Sequence, residues 1–231
     1  MLVIARIHND FPTKFGLPRQ SGLAPSLRSK IVFEPDYRTA EAVRGLDGFS
    51  HIWLLWGFSG NARPLPSGPA EPGKDWSPTV RPPRLGGNVR MGVFATRSPF
   101  RPNTIGLSCV RLAAVEAGGA EGPVLVVSGA DLMDGTPIYD IKPYLPGVDA
   151  HPDARDGFVG SHPQELLAVE IDPALSACLS DTQRATLREI LAQDPRPAYH
   201  ACRSVSGRIY GFAYAGRDIH FTVENNLLKA Y

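Results

Sequence analysis

Ser50-His-Ile-Trp-Leu-Leu-Trp-Gly-Phe58 is a run of aromatic and aliphatic residues that is typical of a buried β-strand. Runs of the same kind occupy residues 2–8, 90–95, 105–115 and 124–128. Residues 36–45 begin with a capping aspartate and end at a glycine, which predicts a short helix. Five strands and one helix predict a mostly β core.

The remainder of the chain is divided by irregular segments. Residues 61–83 are crowded with Pro, Gly and Ser and predict a long surface loop, and residues 151–163 predict a linker. Beyond the linker, Ser180-Asp-Thr-Gln183 is a capping box for a helix that ends by Pro195, and residues 207–223 predict a β-hairpin. We therefore expect a domain over residues 1–148, a linker over 149–163 and a small α+β domain over 164–231.

The composition is that of an ordinary soluble globular chain, with 231 residues, 43% hydrophobic and 20% charged. Its three cysteines are odd in number and far apart, so we expect reduced thiols in an intracellular protein. The sequence has neither a secretory leader pattern nor an apolar run of about 18 residues, which predicts a cytoplasmic protein without a membrane span. The histidines lack metal-ligand spacing, so no metal site is expected, and no glycine-rich nucleotide fingerprint is present.

Positive charge is concentrated in one part of the chain. Residues 76–115 contain six arginines and no acidic residue, whereas the whole chain carries a net charge of +1. A guanidinium group can hold a carboxylate or phosphate through two parallel hydrogen bonds. The stretch therefore predicts a site for an anionic ligand, and the alternative is a solvated basic surface. The six arginines are Arg81, Arg84, Arg90, Arg97, Arg101 and Arg111.

A compact cluster of polar groups follows this stretch. The run Asp134-Gly-Thr-Pro-Ile-Tyr-Asp-Ile-Lys-Pro-Tyr144 contains carboxylate, hydroxyl and amine groups close together. If the second half of the run is extended, Asp140, Lys142 and Tyr144 point to one face, because side chains alternate along a strand. The alternative for Asp140 and Lys142 is a structural ion pair at a strand end.

Several of these motifs, taken in order, resemble the TrmO (TsaA-like) family. The run Leu191-Ala-Gln-Asp-Pro-Arg-Pro-Ala-Tyr199 is also similar to the C-terminal extension of the longer bacterial members. The resemblance therefore covers nearly the whole chain. The motifs that carry it are Pro18-Arg-Gln20, Gly48-Phe-Ser-His-Ile-Trp53, Arg81-Pro-Pro-Arg-Leu-Gly-Gly87, Gly92-Val-Phe-Ala-Thr-Arg-Ser98, Arg101-Pro-Asn103, Asp134-Gly-Thr-Pro137 and Asp140-Ile-Lys-Pro-Tyr144.

The resemblance implies a tRNA methyltransferase that uses S-adenosylmethionine. Its implied acceptor is the exocyclic N6 of threonylcarbamoyl-adenosine, next to the anticodon of threonine tRNAs. It also implies a single-sheet β-barrel and a homodimer, with the tRNA anticodon loop as partner. Residues 61–74 match no motif of the family, and loops of this kind often determine substrate choice.

The resemblance also implies which residues surround the S-adenosylmethionine cofactor. For three of them the residues themselves leave an alternative open. Arg97 could bond loop carbonyls, His51 could be a hydrogen-bonded core residue, and Asp134-Gly-Thr-Pro is a good turn sequence in any protein. The implied cofactor residues are Pro18, Arg19, Gln20, His51, Arg97, Leu107, Asp134, Gly135, Thr136 and Pro137.

For the reaction, Asp140 is the candidate base and Lys142 the candidate orienting or charge-stabilising group. The candidate RNA contacts are phosphate contacts by Arg81, Arg84, Arg90 and Arg101, together with stacking of Tyr144 on a base. Two rival functions remain. A non-catalytic RNA-binding module would explain the arginines alone, and an enzyme acting on a small phosphorylated substrate would explain the arginines and acids without tRNA.

Overall fold

The computed structural model describes residues 1–59, 76–85, 88–162, 165–196 and 207–231, and within them every side chain except that of Arg84. The described residues contain three α-helices, α1 (Pro146–Asp149), α2 (Pro173–Ala177) and α3 (Asp181–Ala192). None of the described helices is long and apolar enough to cross a membrane. The strands are β1 (Ala5–His8), β2 (Arg28–Phe33), β3 (His51–Gly57), β4 (Thr79–Val80), β5 (Met91–Gly92), β6 (Ile105–Glu116), β7 (Val124–Ser128), β8 (Pro137–Pro143), β9 (Ala168–Ile171), β10 (Tyr210–Tyr214), β11 (Arg217–Glu224) and β12 (Leu227–Ala230).

Six strands close into a barrel in the order β1-β2-β7-β6-β3-β8, and every neighbouring pair is antiparallel. Burial alternates along β3, where Ile52, Leu54 and Trp56 are buried in the core and the residues between them are half-buried. Closure leaves the barrel without a free edge strand. The expected mostly β architecture with a single-sheet barrel is confirmed.

Two local predictions were wrong, both for segments with few buried side chains. Residues 36–45 do not form one continuous helix. The region is divided into the short 3-10 helices Pro35–Tyr37, Ala40–Val43 and Leu46–Gly48, in which Val43 is the buried residue. A helix of this length needs an apolar stripe to pack against the core. Residues 90–95 form only the two-residue β5 and then a 3-10 turn over Val93–Ala95.

The second sheet has the order β10-β11-β12-β9, in which β12 and β9 are parallel. The predicted hairpin is confirmed as β10 and β11, and the sequence did not reveal β9 and β12. Helix α3 begins with the predicted capping box, because Ser180 Oγ accepts a hydrogen bond from Gln183 N at 3.2 Å and Ser180 N donates to Gln183 Oε1 at 3.1 Å. The buried side chains of α3 include Leu187, Ile190 and Leu191.

The connection from β1 to β2 packs with this second sheet. Phe11 is completely buried, and its ring lies 4.7 Å from that of Tyr214 in β10. Both residues belong to the hydrophobic core of the second sheet. Gly16 leaves no room for a side chain, since a Cβ there would lie 2.4 Å from the Phe212 ring. Residues 9–27 therefore join the barrel to the C-terminal core, while the domain limits at 148 and 164 stay a prediction.

Two connections are bonded together at one end of the barrel. Gly22 N donates to Gly129 O at 2.8 Å, Gly129 N to Leu27 O at 2.9 Å, and Asp134 N to Phe11 O at 2.9 Å. Residues 9–27 and 129–136 thus form one layer. The segment before β6 reaches the same end, because β6 begins beside the end of β3.

We expect Phe11→Ala to lower the free energy of unfolding by about 3–5 kcal/mol, because it removes a fully buried ring from the core shared by the two parts. The matched control is Phe100→Ala, which truncates a ring that is 57% exposed. Urea titrations followed by circular dichroism measure both. Equal losses in the two variants would contradict the shared core.

Candidate functional site

A chain of hydrogen bonds leads from the barrel interior to the end formed by residues 9–27 and 129–136. Trp56 Nε1 donates to Ser108 Oγ at 3.0 Å, and Ser108 Oγ donates to Asp131 Oδ1 at 2.6 Å. Trp56 and Ser108 are buried, and Gly106 allows the indole to lie flat against β6, where a Cβ would be 2.2 Å from it. This places the Asp131 carboxylate at the barrel end.

Burial raises the pKa of Asp131, and it outweighs the hydrogen bond from Ser108 and the nearby charge of Arg97, which both favour the ionised form. A backbone hydrogen bond from Ser21 also reaches this carboxylate. Sequence reasoning missed Asp131. The available signal was a carboxylate three residues after the end of the predicted strand 124–128 and three residues before Asp134.

Arg97 is joined to the 18–20 segment. Its Nη1 donates to Gln20 Oε1 at 2.6 Å, and Gln20 Nε2 donates to Arg19 O at 2.6 Å. Pro18 is buried, whereas Arg97 is exposed. The structure therefore brings Pro18, Gln20 and Arg97 together, with Asp131 close enough to interact electrostatically with Arg97.

The guanidinium of Arg19 lies against the C-terminal domain. Its Nη2 donates to Asp194 O at 3.2 Å and to Arg196 O at 3.1 Å. The turn that presents these carbonyls is held by an ion pair, in which Arg196 Nη2 lies 2.7 Å from Asp194 Oδ2 and both side chains are largely buried. The hydrogen bonds that Arg196 donates to the Asp194 carboxylate raise the pKa of Arg196. Arg19 thus links the two parts at the barrel end.

Residues 134–137 form a tight turn into β8. Asp134 Oδ1 accepts from Asn9 N at 3.1 Å and lies 3.3 Å from His8 Nδ1. Gly135 has φ +73°, which favours glycine, and Thr136 is buried. The turn lies in the same layer as residues 9–27, and its carboxylate is already engaged by the protein.

Asp140 and Lys142 lie on the outward face of three adjacent strands. In the sheet register Leu55 of β3 lies between Leu107 of β6 and Asp140 of β8. Lys142 Nζ is 2.9 Å from Asp140 Oδ2, with the two side chains 64% and 41% exposed. The pair shares one accessible face, next to Leu107, which is 54% exposed.

His51 lies farther along this face. It is four residues from Leu55 on β3, a separation of about 13 Å along a strand. His51 pairs with Arg111, and its ring lies 6.2 Å from that of Tyr144, which in turn is 5.8 Å from the Trp53 ring. The residues proposed for the cofactor therefore divide into a group at the barrel end and His51 beside Tyr144.

The Trp53 end of the face contains one further carboxylate. Asp149 Oδ2 accepts from Leu145 N at 2.8 Å and from Trp53 Nε1 at 3.0 Å. These hydrogen bonds lower the pKa of Asp149. Burial, and then the charge of Asp149, raises the pKa of the nearby Cys109 thiol.

The remaining arginines differ in their surroundings. Arg81 is exposed, Arg90 Nη1 donates to Thr79 Oγ1 at 2.9 Å, and Arg101 Nη1 donates to Val93 O at 3.1 Å and Thr96 O at 2.7 Å. The side chain of Arg84 and residues 61–74 lie outside the described part of the chain. Across the residues that are described, no group of three or more His, Cys, Asp or Glu side chains is arranged to hold a metal ion.

We expect Asp131 and Asp149 to affect stability with opposite pH dependence. The raised pKa of Asp131 means that the folded state binds more protons, so the stability of the native protein relative to Asp131→Asn falls as pH rises from about 3.9 through the raised value. The lowered pKa of Asp149 means that stability relative to Asp149→Asn is lost as pH falls through the lowered value. Urea unfolding at a series of pH values measures both differences. Slopes of the same sign would contradict this assignment.

Two family matches cover most of the chain. Residues 6–150 match the tRNA-methyltransferase O N-terminal domain, and residues 164–230 match the TrmO C-terminal domain. The solved structure described as "Crystal structure of TrmO" superposes with a TM-score of 0.75 at 34% identity, covering 99% of this chain and 95% of that one.

Curated relatives agree with these matches. A protein from Escherichia coli named tRNA (adenine(37)-N6)-methyltransferase is 45% identical over 202 residues, which cover 85% of this chain and 81% of the relative. One from Eikenella corrodens with the same name is 46% identical over 179 residues, covering 78% and 93%. A relative from Pseudomonas aeruginosa, whose name proposes an S-adenosylmethionine-dependent methyltransferase, is 41% identical over 224 residues, covering 94% and 90%. With both domain matches in chain order on a barrel of this kind, the chain belongs to the TrmO family of tRNA methyltransferases.

Proposed function

We propose that this protein is a tRNA (adenine-N6)-methyltransferase that uses S-adenosylmethionine and acts on threonylcarbamoyl-adenosine next to the anticodon of threonine tRNA. The names of the Escherichia coli and Eikenella corrodens relatives support the adenine-N6 activity. The observation that carries the proposal is the continuity of the two candidate regions. Ser108, which donates a hydrogen bond to Asp131, is preceded in β6 by Leu107. Leu107 lies in the same row of the sheet as Leu55 and Asp140.

The groups at the barrel end fit the cofactor. S-adenosylmethionine carries a carboxylate, an ammonium group and an adenosine, and this end offers the exposed guanidinium of Arg97, the carboxylate of Asp131 and the exposed apolar surface of Leu107. Gln20 orients Arg97 through the 2.6 Å hydrogen bond. We assign Pro18, Gln20 and residues 134–137 to the walls of the same site, and His51 to its far side.

When bound, the cofactor supplies an electrophilic methyl group on a sulfonium, so the protein has little bond activation to perform. Its main contribution is to hold the acceptor nitrogen in line and to exclude water. The acceptor nitrogen would gain one bond to the methyl carbon while the bond from that carbon to sulfur breaks and leaves its electron pair on a neutral thioether. The nitrogen would also lose one proton, for which Asp140 is the proposed base. Lys142 Nζ, 2.9 Å from Asp140 Oδ2, keeps this carboxylate oriented.

The RNA side of the proposal uses the acid-free stretch. Arg81, Arg84, Arg90 and Arg101 contact phosphates of the anticodon loop, and Tyr144 stacks on a base near the acceptor. Arg101 also braces its own loop through two carbonyl oxygens. A tRNA substrate is consistent with a cytoplasmic location, which we propose on that ground.

The test of the reaction is methyl transfer from labelled S-adenosylmethionine to bulk tRNA, with and without the threonylcarbamoyl group. We expect incorporation only into modified tRNA. Asp140→Asn should lower kcat by about 10²–10⁴-fold with little change in cofactor affinity, because it removes the base and not the binding groups. The matched control is Glu116→Gln, which neutralises a carboxylate that also lies near a lysine, Lys30 at 4.0 Å.

Three outcomes would contradict this assignment in different ways. Absence of incorporation into modified tRNA would overturn the reaction. Failure of the protein to bind S-adenosylmethionine in calorimetry would favour a non-catalytic RNA-binding module. Equal loss of activity in Asp140→Asn and Glu116→Gln would remove Asp140 as the base.

We further propose a homodimer in which the outward sheet face of one chain completes the barrel-end site of the other. The reason for proposing a dimer is that His51 lies about 13 Å from Leu55 along one strand. His51 is therefore distant from the barrel end of its own chain. In a two-fold dimer the His51 and Tyr144 end of one chain can approach Arg97 of its partner. Each composite site then uses Arg97 from one chain and His51 from the other.

Mixed dimers test this arrangement. His51→Ala and Arg97→Ala chains, carried on different tags and purified together, should regain about half of the native activity, because one of the two sites then contains both native residues. The control is His51→Ala combined with Tyr144→Ala, in which both sites stay defective. Inactive mixed dimers in the first combination would show that Arg97 and His51 act within one chain or that no composite site exists.

A further inference from the structure

An exposed aromatic platform lies in the acid-free stretch. The rings of Trp76 and Phe94 are 5.5 Å apart with an interplanar angle of 36°. The guanidinium carbon of Arg101 lies 5.6 Å from the centroid of the Phe94 ring. Phe94 is nevertheless 69% exposed, so most of its side chain faces solvent, and Trp76 is half-buried. Neither Trp76 nor Phe94 is among the residues proposed to contact the cofactor or the acceptor.

The surrounding backbone holds this platform in place. Val93 is completely buried, and its N–H donates to Pro78 O at 2.9 Å, which ties the segment bearing Phe94 to the one bearing Trp76. Arg101 Nη1 donates to Val93 O and Thr96 O at 3.1 and 2.7 Å. The guanidinium is therefore held over the Phe94 ring before any ligand arrives. A preorganised surface loses less entropy on binding.

The charge around the platform favours an anionic partner. Arg81 and Arg90 are exposed on the same stretch, and residues 76–115 contain no acidic residue. An aromatic face flanked by fixed cations is the arrangement that binds single-stranded nucleic acid, because bases stack on the ring while the cations contact phosphates. A symmetric contact between two copies of this surface would instead bring arginines against arginines, since a two-fold interface places the same patch on both sides.

We propose that the exposed part of Phe94, whose ring contacts Trp76 and Arg101, is a stacking platform for an unpaired base of the tRNA anticodon loop. The proposal rests on the proposed function for the identity of the RNA and adds a base contact on the acid-free stretch, where the preceding assignment has only phosphate contacts. Stacking accepts any base, because every base has a π-face. The platform therefore holds the loop without reading its sequence.

The stacking contribution can be separated from the charge contribution by salt. Each neutralised phosphate releases counterions and steepens the fall of log affinity with log salt concentration, whereas stacking shifts affinity equally at all salt concentrations. A Phe94 variant should thus change the intercept of such a plot, and an arginine variant its slope. Stacking contacts and phosphate contacts therefore have different effects on a plot of log affinity against log salt concentration.

The experiment measures tRNA binding across a salt series for the native chain and for Phe94→Ala, Phe94→Tyr, Phe100→Ala and Arg90→Gln. We expect Phe94→Ala to bind about 5- to 100-fold more weakly at every salt concentration with an unchanged slope, and Phe94→Tyr to restore binding. Phe100→Ala is the matched control, since Phe100 is 57% exposed in the same stretch. Arg90→Gln should reduce the slope by about 0.7–0.9 if it removes one phosphate contact.

A second arm uses an isolated anticodon stem-loop and a fully paired RNA duplex of the same length. Phe94→Ala should weaken binding of the stem-loop and leave binding of the duplex unchanged, because paired bases are not free to stack on the ring. Equal losses for both RNAs, or no greater loss in Phe94→Ala than in Phe100→Ala, would overturn the platform while native methyl transfer continued to support the reaction. A change of oligomeric state in Phe94→Ala during sedimentation would assign the surface to a contact between copies. Failure of the native chain to bind tRNA would instead overturn the proposed function.

Discussion

The packing of residues 9–27 into the second hydrophobic core is the constraint on which the candidate site depends. This connection leaves the barrel after β1, places Phe11 and Leu27 among the side chains of the C-terminal sheet, and returns as β2. Because both ends of the connection are fixed by burial, the intervening residues 18–20 have a defined position at the barrel end. Gln20 then orients Arg97, and Arg19 bonds the turn after α3. The C-terminal part thereby supports a site that lies on the barrel.

Electrostatics then divide this end of the barrel into regions of different character. Asp131 is held in a partly desolvated position by Ser108, whose hydroxyl is itself fixed by the buried indole of Trp56. Asp140 and Lys142 form an accessible pair on the outer face. The arginines of residues 76–115 add a positive surface in which exposed aromatic rings are embedded. The low dielectric around Asp131 strengthens its electrostatic interactions. Solvent weakens those of the exposed Asp140–Lys142 pair and of the arginines.

Sequence patterns predicted the elements whose stability is local or whose burial is periodic. The aromatic run of β3, the apolar run of β6 and the capping box of α3 each depend on neighbouring residues, and all three were recognised. Residues 36–45 were predicted as one helix and residues 90–95 as one strand, but each segment contains a single buried side chain, Val43 and Val93, and so lacks the periodic burial that stabilises such elements. Strand β2 was missed because it begins with Arg28-Ser-Lys30, and these polar residues mask a run whose later side chains face the core.

The sequence by itself determined the mostly β class, the local concentration of arginine and the family motifs, because these are properties of residue types and their spacing. Only the tertiary structure decided which residues meet. Asp131 interacts electrostatically with Arg97, and Arg19 donates hydrogen bonds to the C-terminal domain, although these residues are far apart in the chain. His51 is separated from the barrel end because the strand that carries it is extended. Chain closure and burial set these distances, and neither is encoded by any single motif.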